Sequence, residues 1–262
     1  MKKFENLKNL DKSIVLIIGG NSGIGKGVAE LFLKKDDSFV VITGRNYQKG
    51  IEVQNELSEI SDRIEFVQLD VKQSDNVKEV VKYVTEKYGK LDICCNCAGI
   101  EHRFASMIEL SEEEFDEIIS VNLKGVWLCM KYQIKQMMRQ KQGGAIINIS
   151  SVSGQKSTPN GAVYSSSKHG VEGLTKTAAN EYARFGIRIN NVTPGLVKTP
   201  MAHRVLGISE DSTDELCNKY IPSGRMASPE EVANAVYWLS SQDASYIIGH
   251  SLIVDGGLSL GR

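Results

Sequence analysis

No stretch of this chain approaches the ~20 consecutive apolar residues that a membrane-spanning helix needs. Its first residues, Met1, Lys2, Lys3, Phe4, Glu5 and Asn6, are polar and lead into no long apolar run, so no signal peptide is expected. An excess of charge of one sign is missing too. Lys and Arg number 31 against 32 Asp and Glu, for a formal net charge of −1. Such a balance gives no electrostatic footing for nucleic acid or for an anionic membrane. Paired metal ligands are lacking: of five cysteines, Cys94, Cys95 and Cys97 crowd together, but no second pair of Cys or His follows at ligand spacing. Reduced core thiols and no metal are expected. Linkers, low-complexity tracts and long repeats are absent as well. What is left is the expectation of one soluble, cytoplasmic domain, with 262 residues and 41% hydrophobic content to fill a single large core.

What the chain does have is alternation. Residues 13–18 are apolar and β-branched and end in glycines, which reads as a buried strand feeding a tight turn. The turn is Gly19-Gly20-Asn21-Ser22-Gly23-Ile24-Gly25, and residues 26–35 continue with helical periodicity. Glycines in a strand-to-helix turn let the backbone approach a pyrophosphate, to which the helix N-terminus donates free N–H groups. The same glycines also suit tight packing alone. A second strand over 39–43 ends at Gly44-Arg45-Asn46. Proteins that bind NAD place an acid about 20 residues past the glycine turn to accept from the ribose 2′-OH. Here that acid is missing, and Arg45 would attract a 2′-phosphate instead, the alternative being that it stacks on the adenine or is solvated. NADP(H) is therefore favoured over NAD(H), although no second basic residue sits in the glycine loop.

Helices are expected over 48–60, over 74–88 with Ser74 as N-cap, and from Ser111 through Glu112, Glu113 and Glu114 to about residue 140. Strands are expected over 64–69, closed by Asp70-Val71, and over 91–95, opening into Asn96-Cys97-Ala98-Gly99. Further strands cover 145–149, delivering Ser150-Ser151, then 187–192, leading into Thr193-Pro194-Gly195, and 251–254, ended by Asp255-Gly256-Gly257. Strands alternating with helices imply an α/β fold of Rossmann type, a doubly wound parallel sheet of about seven strands with helices on both faces. Ligands of such sheets sit at the carboxyl ends of the strands, where the residues singled out here fall.

One stretch carries acid–base chemistry. It reads Ser151-Val152-Ser153-Gly154, passes through Pro159 and Gly161, and reaches Tyr164-Ser165-Ser166-Ser167-Lys168. Tyr164 and Lys168 are one helical turn apart on one face. A free phenol titrates near ~10, and lowering it by about 2–3 units takes roughly 3–4 kcal/mol. A unit positive charge about 4 Å away supplies ~4 kcal/mol at an effective dielectric of ~20. One lysine thus suffices to make the tyrosine a working acid/base. Taken alone, the pair is better described as a packed tyrosine and an ordinary surface lysine, since this spacing is common by chance.

Together these motifs resemble the short-chain dehydrogenase/reductase family over nearly the whole chain, residues 13–259. Its glycine motif matches Gly19, Gly23 and Gly25, and its Asn-Asn-Ala-Gly motif matches Asn96, Ala98 and Gly99. Its helix asparagine matches Asn122, its serine Ser151, and its Tyr-x-x-x-Lys pair Tyr164 and Lys168; Pro194-Gly195 with Thr199 and the late Asp255-Gly256-Gly257 also fit. Two positions depart: Ile18 stands where the family has threonine, and Cys97 where it has the second asparagine.

The resemblance implies interconversion of a secondary alcohol and a ketone with a nicotinamide cofactor. Tyr164 is the implied acid/base, Lys168 lowers its pKa and holds the nicotinamide ribose, Ser151 polarises the substrate oxygen, and Asn122 positions a water beside Lys168. Cofactor contacts fall to Gly19, Asn21, Ser22, Gly23, Ile24, Gly25 and Arg45, with Asp70 and Val71 at adenine. Asn96, Ala98 and Gly99 line the ribose, Pro194, Gly195, Val197 and Thr199 hold the carboxamide, and Tyr164 and Lys168 contribute as well. A homotetramer is implied, packed through helices over 112–140 and 164–184 and through the final strand.

The substrate wall is expected from Glu101, His102, Ser153 and Gln155, under a lid over about 200–222 that follows an N-terminal extension over 1–12. His102 either binds a polar group or is a solvent-exposed histidine. The lid mixes Met201, Val205, Leu206 and Ile208 with Glu210, Asp211 and Asp214, which suits a bulky apolar alcohol or ketone such as a hydroxysteroid. The rivals are a 3-oxoacyl group on a carrier protein and a sugar or polyol. The first is weakened by Gln142 and Phe185 at positions where such reductases carry arginine, although Arg139 and Arg184 lie nearby. A non-catalytic NADP-binding regulator is a further alternative, opposed by the presence of Ser151, Tyr164 and Lys168.

Overall fold

Every residue of the run Ile14–Ile18 (β1) is buried, as a strand covered on both faces requires. The computed structural model describes residues 12–206 and 217–261. In it β1 joins Phe39–Gly44 (β2), Ile64–Gln68 (β3), Ile93–Asn96 (β4), Gly144–Ile149 (β5), Ile187–Pro194 (β6) and Ser251–Val254 (β7) in one sheet ordered β3-β2-β1-β4-β5-β6-β7. Neighbouring strands are parallel, with Val15 opposite Val40 on one side and Ile93 on the other. The helices are Gly23–Lys35 (α1), Tyr47–Ser58 (α2), Ser74–Tyr88 (α3), Glu112–Ile119 (α4), Gly125–Gln140 (α5), Ala162–Tyr182 (α6), Pro200–Leu206 (α7) and Pro229–Ser240 (α8).

The period-two alternation of the strands divides the core. Leu16 and Ile18 pack with Val77, Val81, Val126, Met130 and Val171 of α3, α5 and α6. Val15 and Ile17 pack with Val28, Phe32, Val53, Leu57, Val232 and Val236 of α1, α2 and α8. After β1 the chain lays down β2 and β3 on one side, then crosses to place β4 on the other. That reversal opens a crevice at the carboxyl ends of β1 and β4. Among the described residues no helix is long and apolar enough to cross a membrane.

Two local expectations change. Gln73, not Ser74, is the N-cap of α3; the Ser74 hydroxyl pairs with Tyr132 Oη at 2.8 Å instead. The helix expected from Ser111 to about residue 140 is broken by a π-helical segment, Ser120–Lys124, in which the Gly125 N–H bonds back to the Ser120 carbonyl. Asn122 sits inside this segment. Its Oδ1 accepts from the Ile100 N–H and its Nδ2 donates to the Ile100 carbonyl, both at 2.8 Å. The extra residue in the turn aims that amide at the loop after β4, as π-bulges often do at functional sites. Of the expected lid, α7 and residues 217–222 are described; Ile208, Glu210, Asp211 and Asp214 lie outside the described residues, as does most of the 1–12 extension.

A line of buried amides and hydroxyls crosses the sheet. Asn96 exchanges hydrogen bonds with Gln133 and donates to Asn148 at 2.8 Å; Asn148 donates to Thr175, and Thr175 to Asn191 at 2.7 Å. The line ends at the Glu172 carboxylate, which accepts from Asn191, Thr193 and Ser251. Buried polar groups persist where each finds a partner. Here they tie α6 to the strands whose ends form the crevice.

Candidate active site

The glycine turn shapes one wall. Gly19 has φ +80°, and a Cβ there would stand 2.7 Å from the Ala98 backbone; a Cβ on Gly25 would run into the Gly19 carbonyl oxygen. The first turn of α1 therefore packs directly onto the end of β1, and its free N–H groups face the crevice. Ser22 is the extended N-cap. The threonine missing at position 18 has a neighbour in its stead: Thr43 Oγ1 accepts from the Gly19 N–H at 3.3 Å and donates to the Ile17 carbonyl.

Two adjoining cavities follow. The first, of about 330 Å³, is lined by Gly19, Asn21, Ser22, Gly23, Ile24, Gly25, Arg45, Val71, Ala98, Gly99 and Thr199, all expected from the sequence. It also carries Lys49 and Arg204, which sequence reasoning missed. Lys49 follows Arg45 by four residues at the start of α2, a spacing that was available as a signal. Arg45 lies 3.8 Å from Glu117 and is half exposed. Asp70 falls in a neighbouring groove with Arg45, its carboxylate capping the Lys72 N–H at 3.0 Å. Asn96 does not line the cavity: its side chain is 2% exposed and belongs to the buried amide line.

The second cavity, of about 510 Å³, is lined by Ser151, Ser153, Tyr164, Lys168, Pro194, Gly195, Val197, Thr199 and Glu101, with Phe104, Leu196, Met201, Val205 and Tyr220 as its apolar wall. It shares Ile24, Cys97, Gly99, Thr199 and Met201 with the first. His102 and Gln155 are not among its walls. His102 is 8% exposed, its Nδ1 against the Arg103 carbonyl, so it is not a surface histidine. Gln155 is exposed.

The electrostatics run against one expectation. Lys168 donates to the Ile149 carbonyl at 2.9 Å and stands 5.6 Å from the Tyr164 ring centroid. Burial lowers Lys168 to about 8, opposed by the charges of Glu101, Cys97 and Glu172. The phenol of Tyr164 is pushed up, not down, by burial and then by Glu101, with the Ser151 hydroxyl bond opposing. Withdrawal from water and the Glu101 charge together outweigh the serine hydroxyl in this low-dielectric site. Burial likewise lifts the Cys97 thiol to about 12. Asn122 lies on the far side of Gly99, where a Cβ would meet its Oδ1 at 3.4 Å and Lys168 Nζ at 3.7 Å. Among the described residues no cluster of His, Cys, Asp or Glu is arranged to hold a metal.

Burial raises Glu101 from 4.5 to about 7, against the pull of Lys168. A carboxyl whose value is higher folded than unfolded favours the fold below the unfolded value and loses that contribution as pH rises through the folded one. The Glu101→Gln protein should match the native protein in Tm at pH 4.5 and exceed it at pH 8. The full shift corresponds to about 3 kcal/mol, and partial exposure reduces it to about 1–2 kcal/mol. A thermal melt at both pH values reads this as a gain of about 2–6 °C at pH 8 only.

Fold and site define a dinucleotide-type α/β protein with a Ser-Tyr-Lys cavity, and the comparisons agree. A family model described as enoyl-(acyl carrier protein) reductase matches residues 18–259. The 3-oxoacyl-[acyl-carrier-protein] reductase FabG of Thermotoga maritima is 37% identical over 250 residues, covering 95% of this chain and 98% of the relative. The 3beta-hydroxysteroid dehydrogenase of Mediterraneibacter gnavus is 35% identical, covering 95% of each. Among solved structures, that of ElxO with NADP bound aligns with a TM-score of 0.88 at 39% identity, over 94% of this chain and 98% of that one. The chain belongs to the short-chain dehydrogenase/reductase family of oxidoreductases.

Proposed function

We propose that this chain is an NADP-preferring oxidoreductase that interconverts a secondary alcohol and a ketone on a bulky, mostly apolar substrate such as a hydroxysteroid. The observation that carries this reading is the meeting of Ser151, Tyr164 and Lys168 in one cavity that opens onto the glycine-turn cavity. The residues fit a nicotinamide dinucleotide. Gly19 and Gly25 leave the backbone bare where a Cβ would intrude, α1 directs its N-terminus at the crevice, and Arg45, Lys49 and Arg204 line the same cavity as basic partners for a 2′-phosphate. When bound, that group supplies or accepts the hydride.

The protein's own residues handle the proton and the oxygen. Ser151 and Tyr164 face the cavity together, so a substrate oxygen held between them meets two donors. Their fixed dipoles stabilise charge as it grows on that oxygen. Tyr164 then delivers its proton. A phenol held above its ordinary range stays protonated at neutral pH, which suits ketone reduction. Lys168, one turn along α6, steadies the phenolate that remains. Asn122 fixes the loop beside Lys168 and positions a water there.

The carrier-protein reading keeps one observation in its favour, the 37% identity to a 3-oxoacyl reductase. Gln142 and Phe185 precede β5 and β6 and so lie at the amino edge of the sheet, away from this chain's cavity, and the lack of arginine there no longer weighs against it. Assembly as a cytoplasmic homotetramer of single-domain subunits belongs to the same proposal. It is supported by an apolar groove between α5 and α6 with Trp127, Met138 and Leu174 in its walls. The test is NADPH oxidation, followed at the nicotinamide absorbance, against steroid, acyl, sugar and small diketone substrates. Turnover of bulky apolar ketones is expected; turnover confined to acyl thioesters favours the carrier reading, and none at all favours a regulator.

A further inference from the structure

Besides Lys168, two charged side chains stand in the wall of the larger cavity among its described residues, Lys156 and Glu101. Lys156 is committed elsewhere, donating to the Leu258 carbonyl at 2.7 Å and so tying down the C-terminal turn. Glu101 is not. Among the described residues no hydrogen bond or ion pair holds its carboxylate, although it is largely withdrawn from water. Its position is nevertheless fixed. The backbone just before it is clasped at both the N–H and the carbonyl of Ile100 by Asn122, and Gly99 lies within a few ångströms of Lys168 Nζ. An acceptor that is desolvated, held rigidly and left without a protein donor costs stability unless a ligand supplies the donor.

We propose that Glu101 makes this cavity selective for a ketone, or the matching alcohol, that carries a neutral hydroxyl on a carbon close to the reacting one. Glu101 shares one cavity wall with Tyr164 and Lys168 and follows Gly99 by two residues, and a Cβ on that glycine would stand 3.7 Å from Lys168 Nζ, which sets Glu101 near the acid–base pair. A hydroxyl that meets it therefore belongs to the same end of the substrate as the carbonyl. A neutral donor fits better than an ammonium, because Lys168 already supplies a cation at this point and a second would repel it. The apolar walls, Phe104, Leu196, Met201 and Val205, receive the rest of the molecule. The inference rests on the alcohol–ketone chemistry proposed above and narrows its substrate class.

The test compares a bicyclic ketone with the same ketone bearing an adjacent hydroxyl, using NADPH. The native protein should prefer the hydroxyketone in kcat/KM by about 10–100-fold, the discrimination a hydrogen bond to a charged acceptor gives. In Glu101→Leu the ratio should fall towards one, and Glu101→Gln, whose amide oxygen still accepts, should keep part of it. NADPH binding, read by fluorescence, should persist in both variants. A native protein that turns over both ketones without preference, a preference that survives in Glu101→Leu, or an equal loss on both ketones in that variant overturns the inference while leaving the alcohol–ketone reading intact. Failure of the native protein to oxidise NADPH with either ketone overturns both.

Discussion

Replacing Tyr164 by Phe should lower kcat by about 10²–10⁴-fold, the range a positioned general acid contributes, while leaving the affinity for NADPH close to that of the native protein. The substitution removes one oxygen and keeps the ring that packs beside Lys168 and lines the cavity. Ser151 retains its place, since its own hydroxyl is fixed by accepting from the Ser153 N–H at 3.1 Å. What is lost is the proton that a ketone oxygen must receive. Single-turnover absorbance at saturating ketone gives the rate, and fluorescence titration with NADPH gives the affinity. Near-normal turnover would assign the proton transfer to another group.

The direction of the Tyr164 shift sharpens this expectation. A tyrosine depressed towards neutrality would shuttle protons equally in both senses. Tyr164 is raised by burial and by Glu101, so it stays protonated, as the proposed donor role requires. The same burial brings Lys168 to about 8, close enough to neutrality that its charge responds to neighbours. Removing Tyr164 Oη therefore removes the donor without substituting another of comparable position.

Sequence made the sheet legible because its signal is local. The run over 13–18 and the alternation of strands and helices state a parallel sheet directly, and strand ends shift by only a residue or two. Ser151, Tyr164, Lys168 and the glycine turn were legible for a different reason: fixed spacing along single elements carries them to the carboxyl edge. What sequence did not give depends on non-local burial. Asn96 looked like a ribose contact but its side chain is spent on Asn148, 52 positions away, and His102 looked exposed but is buried. The sign of the Tyr164 shift escaped as well. Coulomb's law between residues four apart is readable from the chain, whereas the desolvation and the Glu101 charge that raise Tyr164 come from elements brought together by folding. Arg204 lines the same cavity as Arg45 and Lys49 because α7 follows the carboxyl end of β6, a placement that no local pattern states.

That cluster sets the second large effect. Replacing Arg45 by Asp should lower the ratio of kcat/KM for NADPH over NADH by about 10–100-fold, most of it through loss on NADPH. Arg45 follows β2, the point where an acid takes the ribose 2′-OH in NAD-binding proteins, so the aspartate both repels a phosphate and offers an acceptor to the hydroxyl. Two features keep the change finite. Lys49 and Arg204 line the same cavity and still attract a phosphate, and Arg45 is half exposed and 3.8 Å from Glu117, so solvent and that carboxylate already temper its charge. The combined change of Arg45 to Asp and Lys49 to Ala should therefore lower the ratio further than Arg45→Asp alone. Because these contacts are near the surface, raising the ionic strength should erode the native preference for NADPH and leave NADH rates nearly constant. Steady-state kinetics with both cofactors at two salt concentrations measures all of this. A ratio that does not move in Arg45→Asp would mean that the guanidinium never meets a phosphate and serves only its pairing with Glu117.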